Sequence, residues 1–314
     1  MDYFFGHKII GIEYHLSSNK KLAHIVHLFR YKSNDELETD LLWLKKRYSI
    51  VSLHDHIQNN SRKNRKEKIL TFDDGYTELL TDVLPILEKH DIPAVFFMTT
   101  DFTLKSKTFY RNIISLIIDK IKSLDDKSQE IFFKAINDLY YFSENIDNQT
   151  FSVFIKRIKH SEQEIIEKLS RLLKITTESY FLNKEQIMEL DKHPLITIGA
   201  HSLDHRDFEF CSEDEIKQQI VESSEEIKKV TQSENVPFAF PFTSDSVSRT
   251  LLKQIAKDNV TIYPFFGECS FQPNNELVLK RFQGEKLTKN NHIKQIIKEE
   301  YIFHLKYTIQ NIFN

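Results

Sequence analysis

Cysteine and glycine are scarce in this chain, two and six among 314 residues. Cys211 and Cys269 cannot supply a metal quartet or a disulfide framework, so both are expected to be free thiols. An excess of one charge is missing as well: 43 Lys and Arg stand against 46 Asp and Glu, a net charge of −3. That near balance excludes a general pull towards nucleic acid or anionic membranes, so recognition must be local. No apolar run approaches the roughly 18 residues of a membrane-spanning helix. The opening "MDYFFGHKIIGIEYHL" carries Asp2, has a His and a Glu within its apolar run and lacks a small-residue cleavage site. It reads as a first strand, not a signal peptide. A cytoplasmic protein with no nucleic-acid partner is the expectation, any membrane contact being left to the C-terminal segment.

What is present is globular: 40% hydrophobic and 28% charged content is enough for a full core. "KIIGIEYH" and "YSIVSL" read as strands around a helix, "DELETDLLWLKKRY", in which Leu37, Leu41, Leu44 and Tyr48 recur at helical spacing. The run "SRKNRKEK" at 61–68 is basic and reads as a solvated loop rather than an anion contact. Then "ILTF", a helix in "TELLTDVLPILEKHD" and the buried strand "IPAVFFM" make a βαβ unit. From about 103 to 180 the pattern turns helical, in "FYRNIISLIIDKI", "IFFKAINDLYYF" and "FSVFIKRI", with almost no Gly or Pro. This predicts a helical insertion that elaborates the packing, caps the main fold or forms a dimer surface.

Alternation resumes with "NKEQIMELDK", opened by a capping box of Asn183 and Gln186, and the strand "LITIGA". Ser212 and Glu215 repeat the box before a helix to about 232; "PFAF", a helix from about 247, "VTIYPF" and "LVLKRF" follow. The fold class is therefore α/β, and this number of short strands suits a (β/α) barrel better than an open sheet. One domain spans 1–314, with 103–180 inserted. An amphipathic helix over 286–314 carries Ile293, Ile296, Ile297, Tyr301, Leu305 and Ile309 on one face and is expected to dock on its own domain.

In a chain so poor in glycine, "ILTFDDGYTELL" at 69–80 sets Gly75 directly behind Asp73 and Asp74, where an apolar strand stops. The carboxyl end of such a strand is where active sites gather in α/β folds. A second strand, "LITIGA", ends before His201 and His205, two imidazoles that converge if the segment turns as it leaves the strand. One carboxylate of the pair and two imidazoles make three ligands for a divalent metal with a position open to water. The other carboxylate is then free to act as a base.

These residues resemble the polysaccharide deacetylase family, the NodB-homology carbohydrate esterases, over roughly 7–103 and 183–284. The family's Thr-Phe-Asp-Asp-Gly stands at Thr71 to Gly75, and its second motif, His-Ser/Thr-x-x-x-His in one common form and one spacer residue shorter in another, is similar to His201-Ser202 and His205. The resemblance implies a distorted (β/α) barrel that removes acetyl groups, mostly N-acetyl, from glycans. It implies Asp73 as general base, with Asp74, His201 and His205 as ligands of zinc, or of cobalt, nickel or manganese. It also implies a groove lined by Tyr76, Pro241 and Phe242, in which the Phe242 N–H stabilises the oxyanion. The substrate class implied is an N-acetylated glycan of the cell envelope or its lipid-linked or oligosaccharide precursor.

Two departures stand out. Where many members place an Arg before the Pro, this chain has Phe238, Ala239 and Phe240, and Arg281 in "LKRFQGE" is the replacement expected to steady the base. No Leu-x-x-His follows residue 284 to supply the general acid, and neither His292 nor His304 follows a strand. His15, at the end of the first strand, is the candidate. The alternatives are a glycan-binding protein that keeps the metal but has lost turnover, and a hydrolase of a non-sugar C–N bond.

Overall fold

The computed structural model describes residues 9–58, 67–140, 147–158, 162–177, 179–268, 277–286, 292–299 and 302. They form two compact units, one within 1–19, 31–107 and 180–314, the other within 20–30 and 108–179.

The first unit contains the strands β1 (Ile9–Tyr14), β2 (Ser49–Ile50), β3 (Glu67–Phe72), β4 (Ala94–Met98), β5 (Ile196–Ala200), β6 (Val236–Ala239), β7 (Ile262–Glu268) and β8 (Val278–Gln283). Every pairing is parallel, and β1 pairs with both β3 and β8. The ring β1-β3-β4-β5-β6-β7-β8 therefore closes into a barrel, with β2 outside it on β3. The helices before the second unit are α1 (Asn34–Arg47), α2 (Leu53–Gln58), α3 (Leu84–His90) and α4 (Thr100–Thr103). The second unit supplies α5 (Tyr110–Lys122), α6 (Asp126–Tyr140), α7 (Asn148–Lys156) and α8 (Gln163–Leu172), after which come α9 (Lys184–Leu190), α10 (Glu213–Val230) and α11 (Arg249–Asp258). Both predicted capping boxes close, Asn183–Gln186 on α9 and Ser212–Glu215 on α10, and Ser33–Glu36 forms a third on α1.

Strand alternation sorts the core into two layers. Ile12, Phe72, Phe96, Ile198, Phe238 and Phe282 face outward and pack with Leu41 of α1, Ile220 of α10 and Ile255 of α11. Ile69, Val95, Phe97, Ala239 and Phe266 fill the barrel with Leu53. That plug explains one departure from the sequence pattern: "YSIVSL" gives only the two residues of β2, because Leu53 turns in and starts α2. Another is the helix predicted across 77–91, which opens as a π turn, Leu79–Val83, and becomes α-helical only from Leu84. Pro85 has no N–H to give and its ring crowds the preceding turn, which a wider π turn accommodates.

The second unit is held by Phe132 and Ile136 of α6, Phe151 and Ile155 of α7, and Ile166 and Leu169 of α8, all buried with the Ile-rich face of α5. Segment 20–30 joins it through hydrogen bonds from Asn112 Nδ2 to the His24 carbonyl, 3.0 Å, and from Ser115 Oγ to that of Ala23, 2.7 Å.

In the C-terminal segment, 293–299 is helical and Ile293, Ile296 and Ile297 are buried in the outer core layer. The predicted continuation through Tyr301, Leu305 and Ile309 lies outside the described residues, as do Cys269 and the basic run up to residue 66. Cys211 is a free thiol. Among the described residues no helix is long and apolar enough to cross a membrane.

Candidate active site

The acidic pair leaves β3 at the rim of the barrel. Asp73 N–H still donates to the Tyr14 carbonyl at 3.0 Å, extending the β1 ladder by one bond. The chain then enters left-handed backbone at Asp74, φ 74°, and Gly75, φ 86°. A Cβ on Gly75 would also lie 2.8 Å from Met98 Sδ and 2.9 Å from Thr103 Cγ2. Both the backbone angle and the close approach therefore require glycine at this position.

The histidines sit on a similarly contorted segment after β5. His201 N–H donates to the Met98 carbonyl at 2.8 Å, then Ser202 and His205 take φ values of 66° and 58°. Ser202 Oγ accepts the His205 N–H at 3.0 Å, and the buried Gln219 of α10 accepts the Leu203 N–H at 2.9 Å. Left-handed backbone at Asp74, Ser202 and His205 costs conformational energy, and strain of that kind concentrates at functional sites.

These two segments bring Asp74, His201 and His205 together, with one ligand-type atom from each lying within 4.8 Å of the others. Asp74 Oδ1 is 3.2 Å from His205 Nε2 and 3.5 Å from His201 Nε2, yet it is buried without a hydrogen bond. His201 Nδ1 donates to the Ala239 carbonyl at 2.9 Å, which fixes the tautomer and turns the Nε2 lone pair into the cluster. Burial lowers the His201 imidazole to about 4, so it stands neutral. Burial alone would raise Asp74, but His205, with His15 and His201, outweighs it and holds the carboxyl below its ordinary range. A buried carboxylate oxygen with no hydrogen bond, facing a neutral imidazole of fixed tautomer, fits a divalent cation.

Asp73 is held differently. Arg281 rises inside the barrel from β8 and binds both its oxygens, Nη1 to Oδ1 at 2.7 Å and Nη2 to Oδ2 at 2.8 Å. Nη1 also reaches Thr71 Oγ1 at 3.1 Å, Nη2 lies 3.1 Å from Glu13 Oε2, and the guanidinium lies over the Phe97 ring. The stem fits because Gly11 has no side chain: a Cβ there would lie 2.4 Å from Arg281 Cγ. Burial pushes Asp73 up, but Arg281 and His201 pull harder and leave it below the usual carboxylate range.

Phe242 has left-handed backbone, φ 57°, and its half-buried ring meets His205 edge-on at 5.0 Å, behind the buried Pro241. Tyr76 does not belong in the groove where the sequence places it. It is fully buried, stacked on Phe181 at 4.7 Å and bridged to it, and so offers no surface to a ligand. His15 lies at the rim with Nδ1 2.9 Å from Glu285 Oε2. Sequence reasoning missed Glu13, Glu285 and Gln219. Glu13 had a signal, an acid on the inward-facing set Gly11, Glu13, His15 of a buried strand; Glu285 and Gln219 had none.

Comparison with protein-family models matches residues 60–263 to polysaccharide deacetylase. A comparison with curated protein sequences gives no significant match. Among solved structures, the chain is similar to the Streptococcus pyogenes deacetylase PplD in complex with acetate, at 16% identity and TM-score 0.55, covering 93% of this chain and 97% of that one. It is similar to a de-N-acetylase from Aggregatibacter actinomycetemcomitans at 15% identity and TM-score 0.52, covering 91% and 98%. It is also similar to IcaB from Ammonifex degensii at 14% identity and TM-score 0.52, covering 91% and 94%. At these identities the likeness establishes the fold.

Proposed function

The chain belongs to the polysaccharide deacetylase family of amide-hydrolysing enzymes, and from that premise we propose that it removes N-acetyl groups from a glycan or glycan precursor at the rim cluster around Asp73. The observation that carries this is a division of labour between adjacent carboxylates: Asp74 faces two imidazoles, while Asp73 is pinned beside them by an arginine. Asp74, His201 and His205 would hold a divalent metal, zinc by preference, with cobalt, nickel or manganese as substitutes. Such an ion supplies Lewis acidity, making a water acidic near neutral pH and polarising the acetyl carbonyl.

Asp73 then takes the proton of the attacking water. Arg281 keeps it ionised and oriented, and the bidentate contact occupies one lone pair on each oxygen, leaving others to accept a proton. The Phe242 N–H serves as a fixed donor to the developing oxyanion, and Pro241 and the Phe242 ring line the groove. A protein that only bound glycans would gain nothing from a buried, arginine-clamped carboxylate beside the ligand set. Acetylated glycans of the cell envelope, or their lipid-linked precursors, are the substrate class.

The test is acetate release from N-acetylglucosamine oligomers and lipid-linked saccharides by metal-loaded protein. Wild type should release acetate and Asp73→Asn should be slower by about 10²-fold or more. Equal rates in the two proteins would overturn the assignment of Asp73.

A further inference from the structure

We infer that Glu13 is a positioning residue that holds the guanidinium of Arg281 in line with the Asp73 carboxylate, an assignment that rests on the amide hydrolysis proposed above. Strand register is the first support. Arg281 of β8 stands opposite Gly11 of β1, and two residues further along β1 Glu13 pairs with Thr71 of β3 and with Gln283 of β8. Every second side chain of a strand shares a face, so Gly11, Glu13, Thr71 and Arg281 point into the barrel, with Asp73 one level above Thr71. The arginine starts one level below Glu13 and grips a residue one level above it. On that path its guanidinium has Thr71 on one side and Glu13 on the other.

The contacts divide over the two terminal nitrogens. Nη1 donates to Asp73 Oδ1 at 2.7 Å and to Thr71 Oγ1 at 3.1 Å, while Nη2 donates to Asp73 Oδ2 at 2.8 Å and lies 3.1 Å from Glu13 Oε2. Asp73 takes the inside of the fork, and Thr71 and Glu13 brace its two outer edges. The Thr71 hydroxyl is itself fixed, because it donates to the Ile12 carbonyl at 3.3 Å. Without the brace at Nη2 the fork is free to swing about the Cδ–Nε bond, and it carries the Asp73 carboxylate with it. A displacement of about 1 Å at a catalytic group costs up to about 10²-fold in rate.

Stability gives no reason for an acid at this place. Burying a carboxylate is costly, and an apolar side chain of similar length fills the same space at lower cost. Arg281 keeps its two-bond partner in Asp73 when Glu13 is removed, so the guanidinium is not left uncompensated. Nor does Glu13 meet the substrate, since its side chain is sealed at 5% exposure. Its contribution is the orientation of Arg281 and, through it, of the base.

The experiment compares metal-loaded wild type, Glu13→Met, Glu13→Gln, Arg281→Lys and the Glu13→Met, Arg281→Lys double variant in acetate release from N-acetylglucosamine oligomers and lipid-linked saccharides, in urea unfolding and by crystallography. Glu13→Met should lose about tenfold or more in kcat with KM within about twofold of wild type and an undiminished urea midpoint. Glu13→Gln keeps an oxygen to face Nη2 and should stay within about threefold of wild-type kcat. In the Arg281→Lys background, Glu13→Met should cost under about twofold more, because the two residues act as a unit. Crystal structures should show both Arg281–Asp73 contacts in Glu13→Gln and the loss of at least one in Glu13→Met. Both contacts intact in Glu13→Met, equal kcat losses in the Met and Gln variants, or independent losses in the double variant would overturn the inference while leaving amide hydrolysis standing. A wild type that releases no acetate would remove the proposed function and the inference with it.

Discussion

The guanidinium of Arg281 grips both carboxylate oxygens of Asp73, at 2.7 and 2.8 Å, with the two side chains 1% and 3% exposed. A planar fork matched to a carboxylate cannot be replaced by a point charge. Arg281→Lys should therefore fold yet lose about 10- to 100-fold in kcat through misorientation of Asp73. Arg281→Ala leaves Asp73 and Glu13 as buried carboxylates without that cation, and should lower stability by about 3–5 kcal/mol in urea unfolding. Wild-type kcat in Arg281→Lys would show that the clamp is structural only.

Metal content separates the two carboxylates without any need for a substrate. Elemental mass spectrometry should find near-stoichiometric divalent metal in wild type and Asp73→Asn, and loss in His205→Ala, because only the latter removes one of the three atoms that converge within 4.8 Å. Full metal retention in His205→Ala would refute the ligand set.

Gly11 offers a remote test of the same machinery. A methyl group there must displace Arg281, whose Cγ would be 2.4 Å away. Gly11→Ala should cost about 1–3 kcal/mol by overpacking and reduce kcat, with metal content unchanged. Unaltered kcat would mean that the arginine shifts without moving Asp73.

Acid sensitivity has a separate source in the second unit. Burial lowers the pKa of His24 from 6.5 to about 4. The unfolded chain therefore binds the proton more readily than the folded one, so stability is full above pH 6.5 and falls as pH drops towards 4. That window corresponds to about 3 kcal/mol. Urea midpoints measured from pH 7 to 4 should decline less in His24→Gln than in wild type; parallel declines would assign the sensitivity to other groups.

The barrel was legible because its strands are short apolar runs separated by helices with clear caps, and each run carries its inward and outward residues in alternation. Asp73, Asp74, His201 and His205 were legible because each pair lies within one segment, so local spacing reports their proximity. Arg281 was accessible only as the cation at a late strand end. The contacts of Glu13 and Glu285 depend on register between strands far apart in sequence, which no local pattern encodes. Tyr76 misled because a residue next to a site can as easily turn into the core, here onto Phe181. Segment 20–30 hid its membership of the second unit because it is tied there by Asn112 and Ser115 rather than by helical periodicity.

Asp73 and Arg281 are 208 positions apart, and the arginine sits on β8, the strand that closes the ring against β1. During synthesis the acidic residues therefore emerge long before their counterion, and Glu13 and Asp73 repel one another until β8 docks. Thus β8 both closes the ring against β1 and brings the cation that pairs with Asp73. A chain cut short before residue 281 is left with an open edge and an uncompensated acidic interior, so incomplete products are inert and poorly folded rather than stray hydrolases.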